Sequence, residues 1–185
     1  PDENFPNISP GDSFIGFNTE TGAQRSAREN IRLSTPINLS GKDLRNRNLS
    51  YRNLAEANLR NSILIAANLR GSQLQHANLL RAKLSEANLT NADLTQANLA
   101  YADLNDTDLS GVRLTGAILW YADLRGTDLA GADFSRAKLW ETQLRGADLS
   151  GVNLTDVSDG PFEVVEFNPA NGMVIGFSVT GQNQP

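Results

Sequence analysis

Apolar positions in the middle of this chain recur with a period of five: stepping by fives from Leu39 to Leu154 meets 24 residues, 23 of them Leu and one Phe134. Neither regular element has that period. An α-helix turns about 100° per residue, so a step of five rotates the side chain by about 140° and spreads the leucines around the whole helix. A strand alternates its side chains, which sends successive leucines to opposite faces. The chain therefore changes direction inside every unit. Two residues before the leucine most units carry a small side chain, as at Ala57, Ser62, Ala97, Thr107 and Ala147, and the slot between is mostly Asn or Asp, as at Asn58, Asn88, Asp93 and Asp123. A small residue and a leucine two apart point inward together while the polar residue between them points out. The two residues after the leucine make a corner, and in eight units the second of them is Gly, from Gly41 and Gly71 to Gly146 and Gly151.

One straight side and one corner per unit let four units close a square coil of about twenty residues, so that Ile37 to Asp156 makes about six coils. Backbone groups directed along the axis then pair with the coils above and below at about 4.8 Å, giving a rod roughly 29 Å long. The ends lack the period. Residues 1–36 read as a short strand around Phe14 to Phe17, a turn, and one or two helical turns from Ser26 to Leu33. After Asp156 the repeat stops, Gly160-Pro161 breaks the path, and Phe162 to Val179 reads as a β-hairpin turning at Asn168 to Gly172, with Met173, Ile175, Phe177 and Val179 alternating onto one apolar face. An open coil end exposes leucines and unpaired backbone groups, so 1–36 and 157–185 are expected to be caps on a repeat domain of 37–156, with a docking module as the alternative.

The unit A(D/N)LXX, unbroken over about two thirds of the chain, resembles the pentapeptide repeat family. That resemblance implies an all-β fold, the right-handed quadrilateral β-helix. It says less about activity, because fold and function are separable and most members have no known biochemical role. The family is abundant in cyanobacteria, with thylakoid-lumen and periplasmic members, which this chain resembles by repeat type.

Composition adds few constraints. The 185 residues contain no Cys, which excludes disulfides and thiol catalysis and fits either redox compartment. No apolar run of about 18 residues provides a membrane span. A start at Pro1 fits a chain whose signal peptide has been removed and equally one trimmed at its end, so export to a periplasm or thylakoid lumen and a cytoplasmic location are both expectations.

Charge changes the picture more. The net charge is −5, yet Ile37 to Ser85 holds eight bases against two acids, a net of +6, and Glu86 to Asp156 holds five bases against eleven acids, a net of −6. The rod is an electrical dipole. The best-known activity in the resembled family is mimicry of duplex DNA by the quinolone-resistance branch that binds DNA gyrase. Duplex DNA carries about one negative charge per 1.7 Å, roughly 17 over 29 Å; a rod that is neutral overall, with a basic first half, is a poor full-length mimic, although its acidic half keeps that reading open. Direct nucleic-acid binding is disfavoured, because the basic half lacks interleaved aromatics beyond Tyr51.

Stacking the units by fours aligns outward side chains. Trp120 above Trp140 and Tyr101 above Tyr121 share a face with Leu80, a candidate protein-binding patch or else a cross-coil stack that stabilises the sheet. Asp108, Asp128 and Asp148 align as an acidic ladder on another face, with Asp103 and Asp123 on the side before it. Like charges that close cost about 1 kcal/mol per contact in water, so Arg125 and Arg145, backbone hydrogen bonds or a bound cation such as Ca²⁺ are expected to offset them, although the residues match no closed metal cage. Catalytic and cofactor signals are missing: the one histidine, His76, sits at an outward corner and no phosphate-binding glycine loop occurs. The expectation is a mostly monomeric, non-enzymatic protein-binding or scaffold solenoid without a cofactor, its protein partner unidentified. The alternatives are a gyrase-directed DNA mimic and a structural or cation-binding accessory protein of an extracytoplasmic compartment.

Overall fold

The computed structural model describes residues 36–158 and the backbone of two later strands, β1 (Phe162–Phe167) and β2 (Val174–Val179). From Asn38 onward, each straight side bridges in parallel to the residue twenty further on, through to the Lys138–Ser158 rung, two residues past Asp156. The result is the right-handed quadrilateral β-helix.

A single unit shows how five residues specify it. Asp93 N–H donates back to Ser72 C=O (2.9 Å), Leu94 N–H forward to Arg113 C=O (2.7 Å), and Gln96 N–H forward to Thr115 C=O (2.9 Å). Ala97 N–H closes the corner onto Leu94 C=O at 2.9 Å. The remaining N–H, that of Thr95, donates to Asp93 Oδ1 at 3.0 Å. Every donor in the unit is thereby paired, as a backbone packed against neighbours on both sides requires. The Asn or Asp before each leucine is thus more than an outward filler: it accepts the N–H that the corner leaves over, the Asx-turn geometry. Asn58, Asn88, Asp123 and Asp148 do the same at 2.9–3.2 Å.

The second corner residue adopts positive φ in all units from Gly41 to Asp156, whether it is Gly or one of sixteen others such as Asn61, Ala66, His76 and Tyr121. A left-handed residue followed by a bond back to the leucine carbonyl is the requirement of a type II turn. Each residue there other than Gly, Asn or Asp costs about 1–2 kcal/mol of backbone strain, so the axial hydrogen bonds and the leucine column override local preference at those corners.

The interior is dry. From Leu59 to Leu139 every residue of the leucine register, Phe134 included, is no more than 1% exposed, and Ala, Ser, Thr or, once, Val112 seals the slot two before it. Ser62 Oγ returns a hydrogen bond to Leu59 C=O (2.7 Å) and Thr127 Oγ1 one to Leu124 C=O (2.7 Å); Ser72 Oγ is buried with no partner among the described residues. The first coil departs from this rule, which the five-residue pattern alone does not reveal: its slots hold Ile37, Lys42, Arg47 and Arg52.

Strands β1 and β2 pair antiparallel from Phe162–Val179 to Phe167–Val174, with register shifts on either side of Glu166; the turn expected at Asn168 to Gly172 lies outside the described residues. The strand expected at Phe14 to Phe17, the helical turns at Ser26 to Leu33 and the side-chain alternation of Met173, Ile175, Phe177 and Val179 fall outside the described residues.

Candidate binding face

The residue after each leucine and the left-handed residue after that form two adjacent columns at one corner of the square. One column contains Leu80, Ala100, Trp120 and Trp140; the other contains Arg81, Tyr101, Tyr121 and Glu141. Axial bonds tie the columns together, Tyr101 N–H to Trp120 C=O and Tyr121 N–H to Trp140 C=O, both 2.8 Å. The two tyrosine rings therefore stack one coil apart, centroids 4.9 Å and planes 13° from each other. Arg81 caps the stack with its guanidinium 5.6 Å from the Tyr101 ring, Trp140 Nε1 donates to Tyr121 Oη at 3.2 Å, and Lys138 Nζ lies 5.6 Å from the Trp120 ring. Tyr101 and Tyr121 remain 51% and 43% exposed, whereas Leu80, Trp120 and Trp140 are half-buried. Ala100 is buried although it lies outside the leucine core. All five patch residues picked out by spacing are thus brought to one corner. The cations Arg81 and Lys138, engaged with two of its rings, do not follow from the aromatic spacing.

The acidic ladder also forms, with rungs Asp108–Asp128 and Asp128–Asp148. Its charges are met locally. The N–H groups of Ser110, Ala130 and Ser150 donate to the three carboxylates at 2.9–3.0 Å, and Ser110 and Thr90 hydroxyls add bonds to Asp108 at 2.6 and 3.0 Å. Partial burial pushes the Asp108 carboxyl up, but these bonds and Arg70 outweigh it and hold it below the usual carboxylate value; Asp148 is lowered by Ser150. Of the expected arginines, Arg125 instead makes a bidentate pair with Asp123, at 2.8 and 2.6 Å. That pair lowers Asp123 and raises Arg125. Among the described residues no cluster of His, Cys, Asp or Glu is arranged to hold a metal ion. No helix among them is long and apolar enough to cross a membrane.

Comparisons with known proteins agree with this geometry. No curated protein matches at the sequence level. A pentapeptide repeat protein from the Arabidopsis thaliana thylakoid lumen aligns at 33% identity and a TM-score of 0.50, over 51% of this chain and 66%, just under two thirds, of that one. A pentapeptide repeat protein of Nostoc PCC 7120 aligns at 32% identity and a TM-score of 0.44, over 65% of this chain and 99% of its own. QnrB1, a plasmid-mediated fluoroquinolone resistance protein, shares the fold at 22% identity and a TM-score of 0.57, over 65% of this chain and 63% of its own. The family model for pentapeptide repeats matches residues 43–79, 53–91, 77–116, 92–131, 107–139 and 127–158, more than half of the 185 residues. The chain belongs to the pentapeptide repeat family.

Proposed function

We propose that this protein is a non-enzymatic scaffold whose aromatic corner, Leu80, Tyr101, Trp120, Tyr121 and Trp140, docks a protein partner. The observation that carries the reading is the half-exposed Tyr101–Tyr121 stack, held on a backbone whose every rung is hydrogen-bonded. Large rigid rings that are already positioned lose little entropy on association, and such residues dominate binding energy at interfaces. The test is capture of the partner by the intact protein and by a Trp120→Ser/Trp140→Ser variant. Loss of capture with an unchanged melting curve supports the corner; equal capture by both removes it as the docking site.

A second reading, a DNA mimic acting on DNA gyrase, is favoured by the Asp108–Asp128–Asp148 ladder and the −6 charge of the second half, and opposed by the +6 of the first. Gyrase supercoiling in the presence of a quinolone, with and without this protein, separates the two: protection selects the mimic, no effect selects the scaffold. In either case β1 and β2 belong to a cap. Deletion of 161–185 is expected to produce concentration-dependent association, and a truncated chain that stays monomeric and equally stable would refute the cap.

A further inference from the structure

The two columns of the aromatic corner are complementary to themselves when turned end for end. Along the axis the left-handed column reads Arg81, Tyr101, Tyr121, Glu141: a base, two stacked rings and an acid on successive coils. Both charged residues are exposed. Arg81 lies against the Tyr101 ring, and neither Arg81 nor Glu141 makes an ion pair among the described residues. They do not meet within one chain, because three coils at about 4.8 Å hold them about 14 Å apart. A two-fold axis perpendicular to the rod, level with the gap between Tyr101 and Tyr121, brings them together across two chains. It sets Arg81 opposite the partner's Glu141 and Tyr101 opposite the partner's Tyr121, and symmetry repeats each contact.

The adjacent column fits the same operation. Its order is Leu80, Ala100, Trp120, Trp140, so the turn sets Trp120 opposite the partner's Ala100 and Trp140 opposite the partner's Leu80, and no indole has to face another. A parallel pair meets neither charge. Its axis runs along the rod and exchanges the two columns, which levels Arg81 with the partner's Leu80 and Glu141 with the partner's Trp140. It also lays one acidic half beside the other, which like-charge repulsion opposes. Tyr, Trp and Arg are the residue types enriched where protein surfaces bind each other. We infer that the occupant of this corner is a second copy of the chain, docked antiparallel with its Glu141 on Arg81 and its Arg81 on Glu141. The inference rests on the docking reading of the corner and names the partner. The matched ridge spans only about 14 Å of rod, small beside the about 800 Å² that each side of a standard interface buries, so the pair is weak and the chain is monomeric when dilute.

Sedimentation equilibrium of the full chain from about 1 μM to about 1 mM, the span of weak association, tests this. The native chain is expected to pass from monomer to dimer. Glu141→Arg sets a second cation against Arg81 at both symmetric contacts and is expected to raise the dissociation constant at least tenfold; Arg81→Glu is expected to do the same by opposing two carboxylates. Arg81→Glu and Glu141→Arg in one chain re-form both pairs with their signs exchanged, and the constant is expected to return to within about threefold of native. Both positions are exposed, so melting curves that match the native one show that the variants fold, and Glu141→Arg carries the test alone if Arg81→Glu melts early. A native chain that stays monomeric throughout overturns the inference and leaves the docking reading to its own capture test. Single variants that both associate within about twofold of native also overturn it, since the contact then lies elsewhere on the rod. So does a double variant as weak as the singles, since the two residues then do not face each other.

Discussion

Replacing Ala66 by glycine is expected to stabilise the rod. Ala66 holds the left-handed corner position at φ +55°, is exposed, and contributes no packing to the core cluster. Its strain is about 1–2 kcal/mol, and the added freedom of glycine in the unfolded chain offsets about 0.4–1 kcal/mol of the relief. The net gain for Ala66→Gly is then about 0.5–1 kcal/mol, or about 2–4 °C per kcal/mol for a chain of this size. Two reverse substitutions calibrate it. At Gly131, φ +69°, an added methyl meets nothing within 4 Å, so Gly131→Ala should cost the strain less the unfolded-chain freedom that alanine removes, about 0.5–1 kcal/mol net. At Gly111 the Asn91 carboxamide oxygen already lies where the methyl would go, so Gly111→Ala should cost more, because Asn91 must also swing away. Urea unfolding of the three variants gives the order directly: Ala66→Gly above native, then Gly131→Ala, then Gly111→Ala. If Ala66→Gly is less stable than native, corner strain is not what separates these residues and the reasoning fails.

Ser72→Ala should raise stability slightly, because it removes a buried hydroxyl with no partner among the described residues, whereas Ser62→Ala should cost about 1 kcal/mol by breaking the bond to Leu59 C=O; opposite signs in urea melts check this. Leu94→Asp should unfold the rod, since Leu94 is fully buried and a carboxylate there has no partner, while Gln96→Asp at an exposed corner should shift stability by less than about 0.5 kcal/mol; equal thermal shifts would dissolve the assigned register. Acid should destabilise the fold in a defined window. Arg45 holds Asp43 down to about 2, and Asp93, Asp108, Asp123, Asp133 and Asp148 are also lowered. Carboxyls lowered in the folded state contribute stability above their ordinary value and lose it as pH falls through the folded one, so the melting temperature should be level from pH 6 to 5 and fall from about pH 4 toward 2. A melting temperature that rises below pH 4 would contradict the hydrogen-bonded carboxylates.

The solenoid was legible because its period is incompatible with helix and strand alike, and because small and large inward residues must alternate in a narrow square. Its end was less legible. Lys42, Arg47 and Arg52 sit in perfect register where later coils carry Ala or Ser, and spacing alone does not say that Lys42 and Arg47 are exposed there. Spacing by twenty placed Tyr101 against Tyr121, but the Trp140–Tyr121 bond crosses columns and depends on how a left-handed residue aims its side chain, which spacing does not encode. For the acidic ladder, repulsion between like charges and relief by backbone hydrogen bonds were foreseeable, but spacing did not choose among the offered partners. Asp123 claims Arg125, and the ladder rests on N–H groups that only the corner geometry presents.

The unbroken i to i+20 ladder also acts as a coordinate system. A residue's number modulo twenty gives its compass bearing around the rod, and the quotient gives its height. Inserting or removing twenty residues lengthens or shortens the rod while every bearing is kept. Losing one five-residue unit swings everything beyond it through a quarter turn; a unit lost between Leu80 and Tyr101 would carry Leu80 and Arg81 away from the aromatic corner while the remaining leucines keep their register. Evolution or an engineer can therefore rearrange this protein's surface by sliding blocks of five along the chain, much as the rings of a combination lock turn on a common spindle.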